Sequence, residues 1–172
     1  MKAVLIAGTI NHHPDTEECR YVHLDASPRG IYDAQLDMFF APDVVANLTD
    51  NLPMFPDNKF DEIICDHVFE HISGQHMPIV LHALRRVLKL DGQLVVETPN
   101  MTAIAKAWVE KQYPEEELQQ WIHGEDIGGD FDGHRYSYSP EALRALLEMS
   151  RFRVDQEIEK GLAIRFYASP RR

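Results

Sequence analysis

Two histidines and a glutamate lie close together in the stretch that reads DHVFEHI. His67, Glu70 and His71 form the pattern H-x-x-E-H, in which one class of zinc peptidases presents two imidazoles and a catalytic carboxylate on one helical turn. A zinc hydrolase also needs a third protein ligand, for which Glu141 or Glu148 could serve. Because short motifs often match by chance, helix capping and pocket lining are the favoured roles, and we expect no metal site.

The composition predicts one soluble domain. The chain has 172 residues, of which 44% are hydrophobic, and two cysteines, Cys19 and Cys65, which give neither a disulfide framework nor a C-x-x-C pair. No apolar run approaches the roughly 20 residues that cross a bilayer, and the opening MKAVLIAG is unlike a secretory signal, so we expect a cytoplasmic protein without a membrane partner. The net charge of −11 disfavours nucleic acid as a partner.

Short apolar runs alternate with amphipathic stretches, which predicts an α/β fold with a largely parallel sheet. An amphipathic helix is predicted at Gln75–Leu90, ended by Asp91 and Gly92, and a later helix begins after Ser139 as its N-cap. The last two strands are joined by three residues, which indicates an antiparallel hairpin. The seven predicted strands are Lys2–Ala7, Tyr21–Leu24, Asp43–Ala46, Phe60–Cys65, Gln93–Glu97, Phe152–Ile158 and Leu162–Ala168.

A long segment, residues 100–138, follows the fifth predicted strand. Its length and its aromatic side chains, which include Trp108 and Trp121, are typical of a lid that covers a ligand pocket. We therefore expect a single domain over residues 1–172, with 100–138 as an insertion. Four carboxylates in it could hold a divalent cation but are more typical of a solvated acidic face; they are Glu125, Asp126, Asp130 and Asp132.

The third to fifth predicted strands carry a family pattern. The run DVVANLTDNLPMFPDNKFDEIICDHVFEHI, followed by ALRRVLKLDGQLVVETPN, resembles the class I methyltransferases that use S-adenosylmethionine, in particular a small bacterial branch similar to methyltransferase type 11. The resemblance implies a Rossmann-like methyltransferase sandwich. Such a fold has a mostly parallel seven-stranded sheet that ends in an antiparallel hairpin, with helices on both faces.

The resemblance implies that S-adenosylmethionine binds at the carboxyl ends of the strands. Asp25, after the second strand, would accept hydrogen bonds from both ribose hydroxyls, although it could instead begin a turn. Gly8 stands where the family carries a glycine-rich loop, because a close cofactor leaves no room for a side chain. Only this one glycine follows the first strand, so the cofactor loop is altered relative to the family.

Three more residues are implied cofactor contacts. Asn47 occupies the position from which the family contacts the adenine amine, and Leu48 would pack against the base. Asp66 and its neighbour His67 would face the methionine portion of the cofactor or the acceptor. The alternatives are that Asn47 is a turn residue and that Asp66 caps a helix.

The implied chemistry asks little of the protein. Methyl transfer is an in-line displacement, so catalysis comes mainly from alignment and from exclusion of water. A general base is needed when the acceptor is a hydroxyl or a protonated amine, and His134 is the preferred candidate, with His67 second. The chain lacks the N/D-P-P-Y/F signature of related amino methyltransferases, which favours a small-molecule or sugar-like acceptor. The alternative is a noncatalytic relative that works through a protein partner.

Overall fold

A computed structural model describes residues 1–8, 14–26, 31–33, 38–124 and 133–171, with the backbone alone for 31–33 and 38–40. The strands are β1 Lys2–Ala7, β2 Cys19–Asp25, β3 Ile31–Asp33, β4 Met38–Phe40, β5 Val44–Val45, β6 Phe60–Asp66, β7 Leu88–Pro99, β8 Phe152–Lys160 and β9 Ala163–Pro170. The α-helices are α1 Met77–Val87, α2 Met101–Val109, α3 Glu115–His123 and α4 Pro140–Met149. None of the helices in these segments is long and apolar enough to span a membrane.

Seven strands form one sheet in the order β5-β2-β1-β6-β7-β9-β8. The first five of these are parallel, and β9 runs antiparallel to both β7 and β8. The predicted fold class is therefore confirmed, including the terminal hairpin. The strand order reverses at β1, since β2 follows on one side and β6 lies on the other. In open α/β sheets, ligands bind at the carboxyl ends of the strands beside such a reversal.

One local prediction was wrong, and one element was not predicted. The first amphipathic helix does not extend to Asp91 and Gly92 but ends at Val87, and the chain passes directly into β7. Pairing of Phe60 with Leu88 draws these residues into the sheet, so tertiary contacts override the helical pattern. The second difference is the two-stranded antiparallel sheet of β3 and β4, which the sequence pattern did not indicate.

The main core lies on one face of the sheet. Alternate side chains of the central strands, among them Leu5, Ile63 and Leu94, belong to one buried cluster with apolar side chains of α1 and α4. The intervening side chains Val4 and Ile6 are also buried, so both faces of the sheet are covered, as the near-continuous apolar strands predict.

Side-chain caps fix two helices that follow the sheet edge. Ser139 Oγ accepts a hydrogen bond of 3.2 Å from the Ala142 amide at the start of α4, as predicted. Asn100 caps α2 by accepting hydrogen bonds from the amides of Thr102 and Ala103. These caps satisfy amides that the first helical turn leaves unpaired, and they set where each helix leaves the sheet.

Candidate functional site

The sheet register brings four residues into one row at its carboxyl edge. Ala7 pairs with Leu24 on one side and with Cys65 on the other, so the residues that follow, Gly8, Asp25 and Asp66, are neighbours. Glu97 extends the row, because it pairs directly with Asp66. The edge therefore combines a glycine with three carboxylates beside the strand-order reversal.

Gly8 has a positive φ of 65° and lies under Val68. A Cβ at Gly8 would lie 2.1 Å from Val68 Cγ2, so only glycine fits here. The absence of a side chain at Gly8 therefore leaves room for Val68 to pack against the backbone at the start of the first loop.

Asp25 ends β2 as a half-buried residue. Its carbonyl oxygen accepts a hydrogen bond of 2.9 Å from the Ala46 amide, and its backbone pairs with Val45 of β5. The pairing with β5 thus fixes its backbone.

Asn47 and Leu48 are engaged within the protein. Asn47 Oδ1 accepts hydrogen bonds from the amide and the hydroxyl of Thr49, at 3.0 and 2.9 Å, and caps the short 3₁₀ helix Leu48–Asp50. This is the turn role that the sequence left open. Leu48 is 5% exposed and belongs to the main core.

Asp66 and Glu97 lie in a network of opposite charges. Glu97 accepts hydrogen bonds from Lys160 Nζ, at 2.8 Å to Oε2, and from Arg165 Nε. Asp66 Oδ2 lies 4.0 Å from Arg165 Nη2, whereas Oδ1 is buried without a hydrogen-bond partner among the described residues. Asp66 does not cap a helix, since the following 3₁₀ helix Phe69–His71 begins after Val68 without a side-chain cap.

The two carboxyl groups respond oppositely to this environment. Burial raises the pKa of Asp66, and the negative charge of Glu97 adds to the effect. Burial also disfavours the charged form of Glu97, but Lys160 and Arg165 outweigh it, so the pKa of Glu97 is lowered. Glu97 therefore holds its charge while Asp66 is the easier group to protonate.

His67 is held by a buried carboxylate. Its Nδ1 lies 2.9 Å from Glu70 Oε1, and the other oxygen of Glu70 accepts a hydrogen bond of 2.9 Å from Thr98 Oγ1. Burial disfavours protonation of the ring, but the hydrogen bond and charge of Glu70, with the charges of Asp66 and Glu97, raise the pKa of His67 above 6.5. This arrangement favours the imidazolium form.

His71 points to a different neighbour, His134. Their ring centroids lie 5.0 Å apart, whereas the ring of His67 lies 5.8 Å from that of Trp121. His67 has a φ of 53° and precedes the 3₁₀ helix, so the two histidines of H-x-x-E-H do not share a face of one helical turn. The geometry that the zinc-hydrolase hypothesis required is therefore absent from this segment.

Two groups of side chains in the described segments offer nitrogen and oxygen donors within 4.8 Å of one another. Neither group contains both histidines of the motif, and neither contains Glu141, which is exposed, or Glu148, which lies 3.6 Å from Arg171. The two groups are Glu70, His71 and His134, and Asp66, His67 and Glu97.

His134 combines with the end of β7 to line a small pocket. Burial lowers the pKa of His134. The charge of Glu70 acts in the opposite direction, and the neighbouring His71 lowers the pKa further. The backbone carbonyl of Glu70 accepts hydrogen bonds from the amides of Arg135 and Tyr136, which fixes the segment that carries His134. The pocket is lined by Thr98, Pro99, Met101, Ile104, Trp121, His134, Tyr136 and Ser137.

Sequence reasoning missed several functional candidates. It named Glu70 only as part of a zinc motif, and it gave Glu97, Thr98 and Arg165 no role. The available signal for Glu97 and Thr98 was their position at the carboxyl end of the fifth parallel strand, where ligands bind. Arg165 gave no such signal, because its contact with Glu97 depends on the antiparallel pairing of β9 with β7, which are far apart in the sequence.

Part of the sequence hypothesis concerns residues outside the described segments. These are the residues that follow Gly8 in the altered loop, 9–13, and the four carboxylates of the possible cation site.

Comparison with known proteins identifies the family. The family described as "Methyltransferase domain" matches residues 10–157. This chain belongs to the methyltransferase domain family. The resemblance inferred from the sequence is thereby confirmed. No curated protein matches this methyltransferase.

Solved structures of low sequence identity share the fold. A SAM-dependent methyltransferase from Methanosarcina mazei is 15% identical with a TM-score of 0.66, over 99% of this chain and 92% of the other. One from Archaeoglobus fulgidus is 14% identical with a TM-score of 0.61, over 98% and 86%. The Burkholderia thailandensis 1,6-didemethyltoxoflavin-N1-methyltransferase, with 1,6-didemethyltoxoflavin and S-adenosylhomocysteine bound, is 14% identical with a TM-score of 0.61, over 99% and 72%.

Proposed function

We propose that this methyltransferase transfers the methyl group of S-adenosylmethionine to a small-molecule acceptor. One observation carries the proposal. The strand order reverses at β1, and the register places Gly8, Asp25 and Asp66 side by side at the carboxyl edge there. This is where open α/β sheets bind ligands, and the chain belongs to a methyltransferase family.

The residues at this edge fit the cofactor at its ribose end. Asp25 is a half-buried carboxylate at the end of a central strand, and a carboxylate can accept two hydroxyl hydrogen bonds at once. Asp66 would lie toward the methionine portion. When bound, S-adenosylmethionine supplies a methyl group on a sulfonium, which an acceptor atom can take by in-line displacement.

His134 suits the role of general base. Burial and the neighbouring His71 lower the pKa of His134, so a neutral ring is available to take a proton from an acceptor hydroxyl or amine near neutral pH. His67 suits that role less well, because Glu70 favours its protonated form.

Residues 100–138 would form the acceptor side of the site within a single domain. They contribute most of the pocket lining, including Met101, Trp121 and Tyr136, and the rest comes from the end of β7. A pocket wall that excludes water would serve a reaction that depends on alignment.

The alternative function is a noncatalytic relative that acts through a protein partner. The position of Val68 favours this alternative. A methyl group of Val68 packs over Gly8, in the space that a cofactor-binding loop would keep open. A structure that shares this fold contains a methyltransferase of Haloferax volcanii with its activator, at 15% identity, a TM-score of 0.62 and coverage of 99% of this chain and 83% of the other.

Calorimetry separates the two functions. We expect S-adenosylhomocysteine to bind the wild-type protein, and Asp25→Ala to weaken binding by about tenfold or more, since a hydrogen bond to a charged group contributes about 1.5–3 kcal/mol. Asp91→Ala removes an exposed carboxylate of β7 and should leave binding unchanged. Absence of binding to the wild type would favour the noncatalytic alternative, and undiminished binding to Asp25→Ala would refute the ribose assignment.

A further inference from the structure

We propose that the acceptor is a planar aromatic molecule with an anionic oxygen, which packs against Trp121 and accepts a hydrogen bond from Nε2 of His67. The proposal rests on the proposed function, since it specifies the acceptor of the same site. It goes beyond that function because it distinguishes an aromatic anion from a neutral sugar-like molecule.

The His67 ring is held in place through Nδ1, and its Nε2 has no hydrogen-bond acceptor within the part of the chain that the structure describes. Its Nδ1 is fixed by the bond to Glu70, which is 1% exposed, and this bond sets the plane of the ring. Its Nε2 lies 3.9 Å from Glu97 Oε1, which is too long for a hydrogen bond. The side chain of His67 is 38% exposed, so the Nε2 proton is accessible to a ligand.

Trp121 supplies an aromatic surface next to this donor. Its ring centroid lies 5.8 Å from that of His67, and the two planes are inclined by 55°. Trp121 also lines the pocket, where Met101, Ile104 and Tyr136 add apolar and aromatic surface. Flat aromatic ligands gain by stacking or edge contacts with such rings, in addition to the burial of apolar area.

Both acidic and basic side chains surround the imidazolium of His67. The acidic groups that face it are Glu70 and Asp66 from its own segment and Glu97 from β7. Lys160 and Arg165 bind Glu97 and offset its charge. Burial and the charge of Glu97 raise the pKa of Asp66, against the basic groups His67, Arg165 and Lys160. An anionic oxygen at Nε2 would therefore accept a charge-assisted hydrogen bond from the imidazolium, whose other nitrogen is paired with Glu70, while Lys160 and Arg165 offset the charge of the nearby Glu97.

Fragment binding tests the proposal, with benzoate as the probe. Trp108→Phe leaves Trp121 as the single tryptophan, so its fluorescence reports binding at this site. The matched probes are benzyl alcohol, which is neutral, cyclohexanecarboxylate, which is not planar, and methyl α-glucoside, which is sugar-like. We expect saturable quenching by benzoate, with weaker or no binding of the other three.

Variants of His67 assign the binding to the proposed donor. His67→Asn removes the charge, and asparagine tolerates the positive φ at this position. We expect it to weaken benzoate binding by about tenfold, because a charge-assisted hydrogen bond is lost. His82→Asn removes an exposed histidine of α1 and should have no effect. Circular dichroism of each variant checks that the fold is retained.

Each other outcome overturns a defined part of the reasoning. Equal binding of benzoate and benzyl alcohol would refute the anionic oxygen, and equal binding of cyclohexanecarboxylate would refute the planar ring. Binding of methyl α-glucoside alone would favour a sugar-like acceptor, and no binding of benzoate would overturn the proposal. Calorimetry with S-adenosylhomocysteine tests the proposed function separately. A protein that binds the cofactor product but not benzoate retains the proposed function and loses the acceptor proposal. A protein that binds only benzoate retains the aromatic-anion site, but the bound molecule is then not a methyl acceptor.

Discussion

Replacement of Glu70 by glutamine tests whether this buried carboxylate sets the charge of His67. Glu70 is 1% exposed and accepts one hydrogen bond from His67 Nδ1 and one from Thr98 Oγ1, both at 2.9 Å. Glutamine has almost the same shape and keeps one carbonyl acceptor for Thr98. The substitution therefore removes the negative charge with little change in packing.

The expected magnitude follows from the bond to His67. A hydrogen bond to a charged group contributes about 1.5–3 kcal/mol. The side chain of His67 is 38% exposed, so solvent screening reduces this contribution to about 1–2 kcal/mol. Burial lowers the pKa of His67, but the hydrogen bond and charge of Glu70, together with the charges of Asp66 and Glu97, outweigh burial and raise the pKa above 6.5 in the folded protein. The stabilisation by the ion pair is therefore complete below the unfolded pKa and is lost as the pH rises through the folded pKa.

Urea unfolding at about pH 5.5 and about pH 8.5 measures this difference, since these values bracket the ordinary range of a histidine pKa. We expect Glu70→Gln to lose more stability at the lower pH. In the same variant, an NMR titration should show a lower pKa for His67 than in the wild type, because the hydrogen bond to a charged Glu70 and its negative charge no longer raise it. Glu159→Gln changes an exposed carboxylate of β8 and serves as the control. An equal loss of stability at both pH values, with an unchanged His67 titration, would refute the assigned role of Glu70.

Three further predictions follow from the sheet and its edge. Gly8→Ala should lower the free energy of unfolding in urea by about 2–4 kcal/mol, because of the positive φ at this position and the clash with Val68. Adding Val68→Ala to this variant should restore part of the lost stability. Arg165→Met should cost about 1–3 kcal/mol at neutral pH. Burial raises the pKa of Glu97, but Lys160 and Arg165 outweigh burial and lower it. The stability lost in Arg165→Met should therefore shrink as the pH falls through the folded pKa of Glu97, because the protonated carboxyl no longer gains from the ion pair. Burial raises the pKa of Cys65 to about 12, so a thiol reagent should leave it unmodified until urea unfolds the chain.

The order of elements could be read from the sequence, because each strand carries its own evidence. β1 was predicted with its observed bounds, since KAVLIA is a short apolar run ended by a glycine. The helix after β6 was also predicted, but its end was not. Phe60 pairs with Leu88 across the sheet, and that pairing decides where the helix stops. Periodicity is local and contains no information about such a partner.

The candidate site was only partly predictable for the same reason. Gly8, Asp25 and Asp66 each follow a predicted strand, and the rule for parallel sheets predicts that they share an edge. The sequence did not reveal that Val68 covers Gly8 or that Asn47 uses its oxygen to cap a 3₁₀ helix. These outcomes depend on how side chains pack after the chain has folded.

The sequence by itself determined the class of fold and the family, since hydrophobic spacing and the run around DHVFEHI are properties of neighbouring residues. Only the tertiary structure decided which groups meet. It separates His67 from His71, which lie four residues apart, and joins His71 to His134, which is far along the chain. A left-handed backbone conformation at His67 accompanies the first outcome, and hydrogen bonds from the amides of Arg135 and Tyr136 to the carbonyl of Glu70 hold His134 beside His71. The charge of each site residue depends on those contacts, because a carboxylate or an imidazole takes its pKa from what lies against it.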